Sequence, residues 1–225
     1  MNQPTMINAS LPVLIEVVEK TSWWRYNLRF GARIVSTKSQ VPLQIGAQYY
    51  ANIRGQSGGV ININGLYKRD NGAALSDGVE LIERVFSSQG YEQSNTSVNA
   101  QNADFSWLFD EIKTKLATCK NASDFEIFCD MLLALKNGII SVPFFYENRY
   151  CLAQIRPFNA GLELYLLFSI YAPLIARVSG GVFSAIITPY INYSALLAKE
   201  LNCEYYESKI EPFYSANSGV FNFKG

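Results

Sequence analysis

Histidine is missing altogether from this chain of 225 residues. That removes the side chain most used as a general base, the commonest zinc ligand, and every Ser-His or Cys-His arrangement. Carboxylate pairs, lysine and tyrosine remain as chemistry. The expectation is therefore a protein without catalytic apparatus and without a cofactor. Net charge is missing as well: Lys plus Arg number 19 and Asp plus Glu number 19. A neutral chain lacks the basic excess that phosphate-backbone binding draws on, which argues against non-specific nucleic-acid binding. A small basic patch can still hide in such a balance.

The four cysteines, Cys119, Cys129, Cys151 and Cys203, contain no C-x-x-C and no metal-ligand spacing. They read as reduced thiols buried as small apolar groups. No long uninterrupted apolar run is present. The most apolar stretch, residues 161–187, is broken by Glu163, Pro173, Arg177 and the pair Gly180-Gly181, so a membrane span is not expected. The first residues carry no basic start followed by an apolar run, which gives the expectation of a cytoplasmic protein.

What is abundant is apolar side chain: 49% hydrophobic residues against 17% charged suit a well-buried globular chain. Residues 11–67 read as about five short strands. Trp24, Tyr26, Leu28 and Phe30 alternate with Arg25, Asn27 and Arg29, the period of a half-buried strand. Gly31 and Gly58-Gly59 mark turns, and residues 42–46 read as a loop. A small closed barrel of OB or SH3-like type follows, as a module over residues 1–69.

Residues 70–138 read as a helical linker and a helical hairpin. The first helix presents Val79, Ile82, Val85 and Phe86, with Ser76 or Asp77 as cap. Residues 90–103 are polar and aperiodic, a linker pattern. Phe105, Leu108, Phe109, Ile112 and Leu116 form one helical stripe. A second helix opens on a capping box, Ser123 with Glu126, and ends at Asn137-Gly138. Residues 139–225 read as a mixed α+β domain. It starts with a hairpin turning at Glu147-Asn148 and a second hairpin turning at Gly180-Gly181. A helix over 192–201 points Leu196, Leu197 and Leu201 inward, and a strand covers 203–210 before a loose tail. The fold class expected is α+β.

Two stretches together carry a family resemblance. The first runs Arg25-Tyr26-Asn27-Leu28-Arg29-Phe30-Gly31-Ala32-Arg33, then Thr37-Lys38-Ser39, Pro42-Leu43-Gln44-Ile45-Gly46 and Tyr49-Tyr50-Ala51-Asn52-Ile53. The second is the order strand, turn, strand, helix, strand between Leu162 and Ile210. The chain resembles the flagellar hook-length control proteins, in which a small β module precedes a C-terminal core of this order. It departs from them at Phe168-Ser169-Ile170-Tyr171-Ala172-Pro173-Leu174, where the family's Leu-Gly is absent, and at 90–103, too short a segment to act as a ruler. The resemblance implies a ruler-less, non-enzymatic interaction protein of flagellar type III export, itself a candidate for export through that apparatus. Its implied partner is the cytoplasmic domain of the export-gate switch protein, with hook or hook-cap subunits as further partners. The protein-binding residues it implies are Leu164, Leu166, Leu174, Arg177, Gly180, Gly181 and Phe183.

Other readings of the residues stay open beside it. Trp23, Trp24, Tyr26, Tyr49 and Tyr50 form either a stacking platform for single-stranded nucleic acid on an OB-like sheet or ordinary sheet packing. Lys20, Arg25, Arg29, Arg33 and Lys38 form either a basic face for an acidic partner or a solvated face. Tyr165, Tyr171, Tyr190 and Tyr193 either line a partner groove or pack within the sheet. The acids at 104, 110, 111, 124, 126 and 130 fit helix N-termini better than a metal site.

Overall fold

The computed structural model describes residues 11–57, 60–69, 72–88, 105–159, 161–168 and 171–215. The expected turn at Gly58-Gly59, the polar stretch 90–103 and the tail beyond 215 lie outside the described residues.

Five strands, β1 (Val13–Ser22), β2 (Arg25–Phe30), β3 (Arg33–Lys38), β4 (Gln48–Ser57) and β5 (Val60–Lys68), close into a barrel of order β1-β2-β3-β5-β4. All its pairings are antiparallel except β3 with β5, which is parallel. Alternation sends Ile15, Val17, Tyr26, Leu28, Tyr49, Ala51, Ile53, Ile61 and Ile63 into one core. The loop between β3 and β4 stoppers one end. Its Leu43 is buried, and the Leu43 and Gln44 amides donate to the hydroxyls of Tyr26 (3.2 Å) and Tyr49 (3.1 Å).

The remainder of the described chain is built on an open six-stranded sheet of order β11-β10-β9-β8-β7-β6. Strands β6 (Ile140–Tyr146), β7 (Arg149–Phe158), β8 (Gly161–Phe168), β9 (Tyr171–Ser179) and β10 (Val182–Thr188) form an antiparallel meander. Helix α4 (Ile191–Leu201) then returns the chain so that β11 (Glu204–Glu207) pairs parallel with β10. The Glu147-Asn148 and Gly180-Gly181 loops each have two residues with positive φ, the primed turn whose twist matches antiparallel strands. Helices α1 (Gly78–Ser88), α2 (Ser106–Thr118) and α3 (Ala122–Lys136) cover one face of the sheet. Leu81, Val85, Leu108, Ile112, Phe128 and Met131 share a core there with Val142, Ala153, Leu164, Leu174 and Ile186. The opposite face holds Tyr165, Leu167 and Ile187 under Ile210 and Phe213 of the C-terminal segment. Gln154, 1% exposed, fastens that segment by donating to Tyr214 O (2.7 Å) and accepting from Tyr214 N (3.0 Å).

Three local expectations change. The cap of α3 is Asn121, not Ser123: Asn121 is extended and its side chain accepts from Asp124 N at 2.7 Å. In α4 it is Tyr193, Ser194 and Ala198 that are buried, whereas Leu196 and Leu201 face outward. Leu197, by contrast, is half-buried and packs against the core as expected. The last strand stops at Glu207, because beyond it the chain crosses to the far face and buries Ile210.

Barrel and sheet meet through tyrosines. Tyr50, Ala172, Tyr190 and Tyr193 form a buried cluster flanked by Leu14, Tyr67 and Leu197. Tyr50 donates to Phe168 O (3.0 Å), Tyr67 to Ile210 O (3.1 Å) and Tyr190 to Gly65 O (2.5 Å). Gly65 sits at φ +60°, and a Cβ there would lie 3.0 Å from the Tyr190 ring. Gly65→Ala should therefore lower the melting temperature more than Gly46→Ala. The latter shares the positive φ but meets nothing within 4 Å, so it carries only the left-handed penalty of about 1 kcal/mol.

Burial, the largest influence on each, raises the hydroxyl pKa values of Tyr50, Tyr67 and Tyr190 above the ordinary 10.0. The unfolded chain then loses these protons first. Stability from this contact is full below about pH 10 and falls as pH rises further. Denaturant midpoints followed into the alkaline range should show that fall, and a Tyr50→Phe, Tyr190→Phe double variant should flatten it.

Candidate functional site

The seven residues that the family resemblance singles out divide by burial. Leu164 and Leu174 lie in the core beneath the helices, and half-buried Leu166 packs against the same core. Leu164 is closed off from a partner, whereas Leu174 also borders an apolar groove. Arg177 is committed to the sheet: its Nε donates to Glu163 at 2.9 Å and its guanidinium stacks on Phe158 at 4.5 Å. Arg156 grips the same carboxylate from the other side, at 2.6 Å, and lies on Phe213 at 4.0 Å. Register explains the arrangement, since Arg156, Glu163 and Arg177 are direct cross-strand neighbours on β7, β8 and β9.

Gly180, Gly181 and Phe183 are at the surface, at the tip of the β9–β10 hairpin. Val182 there is 65% exposed and Phe183 40%. A bulge between Phe183 and Ala185 interrupts the pairing with β9, and β11 joins β10 only from Ala185 onward. Among the described residues, 182–184 thus present an unpaired strand edge beside two exposed apolar side chains. Such an edge accepts an added strand from another chain.

Of the four tyrosines read as groove candidates, Tyr165, Tyr190 and Tyr193 are buried, at 1%, 1% and 8% exposure. They pack within the fold, and the Tyr171 side chain lies outside the described residues. An apolar groove of about 710 Å³ does exist nearby, lined by Leu11, Phe168, Leu174, Tyr193, Leu196 and Leu197. The acids of α3 end in a different place: Glu126 and Asp130 line a cavity of about 360 Å³ with Gln154 and Tyr214. Burial, and then the Glu126 charge, raise the Asp130 pKa. No group of three or more metal-ligating side chains occurs among the described residues, and none of their helices is long and apolar enough to cross a membrane.

The barrel presents a second exposed surface. Its Leu14, Tyr50 and Tyr67 side is spent on the contact with the sheet, which leaves β2 and β3 facing solvent. The aromatic platform shrinks accordingly. Tyr26 and Tyr49 are barrel core and Tyr50 is buried in the tyrosine cluster, whereas Trp23 and Trp24, in the β1–β2 turn, are 78% and 40% exposed. The cations Lys20, Arg25 and Lys38 at the same end of the barrel are exposed, as are Arg29 and Arg33 toward the other end of the β2–β3 hairpin. The signal in the sequence is charge by segment. Residues 1–69 hold eight Lys and Arg against two Glu, and residues 70–225 hold eleven against seventeen Asp and Glu. The neutral total conceals this split.

Replacing Glu163 by Gln removes the charge that two guanidiniums share. With both arginines partly solvated, the loss is about 2 kcal/mol, readable as a lowered urea midpoint at unchanged slope. Comparison of the chain with protein-family models, with curated proteins and with solved structures gives no match.

Proposed function

We propose that the chain is a non-enzymatic interaction protein of flagellar type III export, acting through its C-terminal sheet on the cytoplasmic domain of the export-gate switch protein. The observation that carries this reading is the β9–β10 hairpin followed by α4 and parallel β11 behind a closed barrel. That is the order of elements on which the resemblance to hook-length control proteins rests. The hairpin tip supplies the contact. Val182 and Phe183 give apolar area, and the open edge at 182–184 gives main-chain hydrogen bonds. Leu164, Leu166 and Leu174 belong to the core beneath the helices and are not assigned to the contact.

Binding of this kind acts by shifting a conformational population of the gate rather than by making bonds. The barrel we assign to the OB type, on the strand order and the parallel β3–β5 pair. The polar segment 90–103 is too short in sequence to act as a ruler, so the proposed action is on the gate alone.

Deleting the gene should give overlong hooks without filaments, scored by electron microscopy. Normal hooks bearing normal filaments would sink the reading. In a pull-down with the purified gate domain, Phe183→Asp should weaken capture at least tenfold and leave the melting temperature within about 1 °C, as expected for an exposed position.

A further inference from the structure

The two ends of the six-stranded sheet are finished differently. At β6 the Leu75 amide donates to Pro143 O at 3.1 Å, so part of that edge is covered. At the other end β11 pairs with β10 alone among the described strands. Just beyond it the Ser208 amide donates inward to Thr188 O at 2.9 Å. Main-chain groups alternate sides along a strand, so Tyr205 and Glu207 turn their N–H and C=O away from the sheet. All four residues of β11 are exposed, Tyr205 at 48% and Tyr206 at 46%. A strand end of this kind is a template for one more strand.

Charge decides which strand it takes. Glu204 and Glu207 stand at the two ends of β11, and neither is in an ion pair among the described residues; Glu204 accepts from the Tyr206 hydroxyl. The cations of the neighbouring elements are committed. Arg177 is held by Glu163 at 2.9 Å and Lys209 by Glu211 at 2.7 Å. Lys199 is matched in charge by Glu200 beside it, both exposed on the last turn of α4. A second copy of the chain, pairing antiparallel about the middle of β11, would oppose glutamate with glutamate at both ends of the strand. Like charges directly opposite destabilise a sheet, and opposite charges stabilise it.

We propose that the free edge of β11 binds an extended basic segment of another protein as an added strand, with one Lys or Arg opposite Glu204 and another opposite Glu207. The spacing follows from the strand itself: two cations separated by two residues, whichever way the added strand runs. β-Branched residues between them lie beside the Tyr205 and Tyr206 rings. The glutamates that turn away a second copy are thus the ones that select the basic partner. The contact uses none of residues 182–184, so it goes beyond the export reading and stands without it.

The probes are two dye-labelled peptides with blocked ends, TKVTKT and its acidic counterpart TEVTET, titrated with the full chain and read by fluorescence anisotropy. The basic peptide should bind about tenfold more tightly than the acidic one, and its affinity should fall with added salt. Reversing both charges, Glu204→Lys with Glu207→Lys, should invert the preference. Tyr205→Pro deletes an outward N–H without touching the pairing with β10, and should abolish binding. All three positions are exposed, and circular dichroism of each variant should match the parent. Phe183→Asp should leave the affinity within about twofold; a larger loss would move the site to the hairpin tip and overturn the proposal. No binding, equal binding of the two peptides, a preference that survives the double reversal, or binding retained in Tyr205→Pro would overturn it too. So would sedimentation of the parent chain as a dimer that Tyr205→Pro splits, which would give the edge to a second copy.

Discussion

Phenol hydroxyls buried away from water must find acceptors, and three of them do so across the contact between barrel and sheet. Tyr50 and Tyr67 reach from the barrel to main-chain carbonyls at Phe168 and Ile210, and Tyr190 reaches back to Gly65. A buried hydroxyl left without its acceptor costs on the order of 1–3 kcal/mol. The three bonds therefore fix the relative setting of the two bodies more sharply than apolar contact alone. Gly65 is part of the same constraint, because only a residue without a side chain lets the Tyr190 ring lie so close to β5.

Much of the remaining arrangement follows from that setting. Using one side of the barrel for the contact hides Tyr50 and Tyr67 and leaves β2, β3 and the Trp23-Trp24 turn outside. On the sheet, the helices take one face and the C-terminal segment takes the other, held by Gln154 and by the apolar grip of Tyr165 and Ile187 on Ile210. With both faces largely occupied, the sheet leaves its edges and hairpin tips uncovered. Val182 and Phe183 at one such tip are exposed, while Leu164 and Leu174 behind them are buried.

The two surfaces differ in chemistry and in place. One is an apolar hairpin tip on the acidic half of the chain; the other is a basic face with indoles on the barrel. The two share no residue.

The sequence by itself determined the elements. Period-two alternation around Tyr26 and Leu28, the helical stripe through Leu108 and Ile112, and the Asn-bearing and Gly-Gly turns are local signals, and local sterics decide them. They were enough to place a closed barrel before helices and a second sheet. What the sequence left open was which side of each element would be covered. Tyr50, Tyr190 and Tyr193 have the same composition signature as exposed interface tyrosines, and Leu196 has that of a core leucine. Only the docking of barrel on sheet buried the first three, and the face of α4 carrying Tyr193, Ser194 and Ala198, not Leu196, is the one turned inward. Burial of that kind depends on contacts between residues more than a hundred positions apart, such as Tyr50 with Phe168, and no window of the sequence contains them.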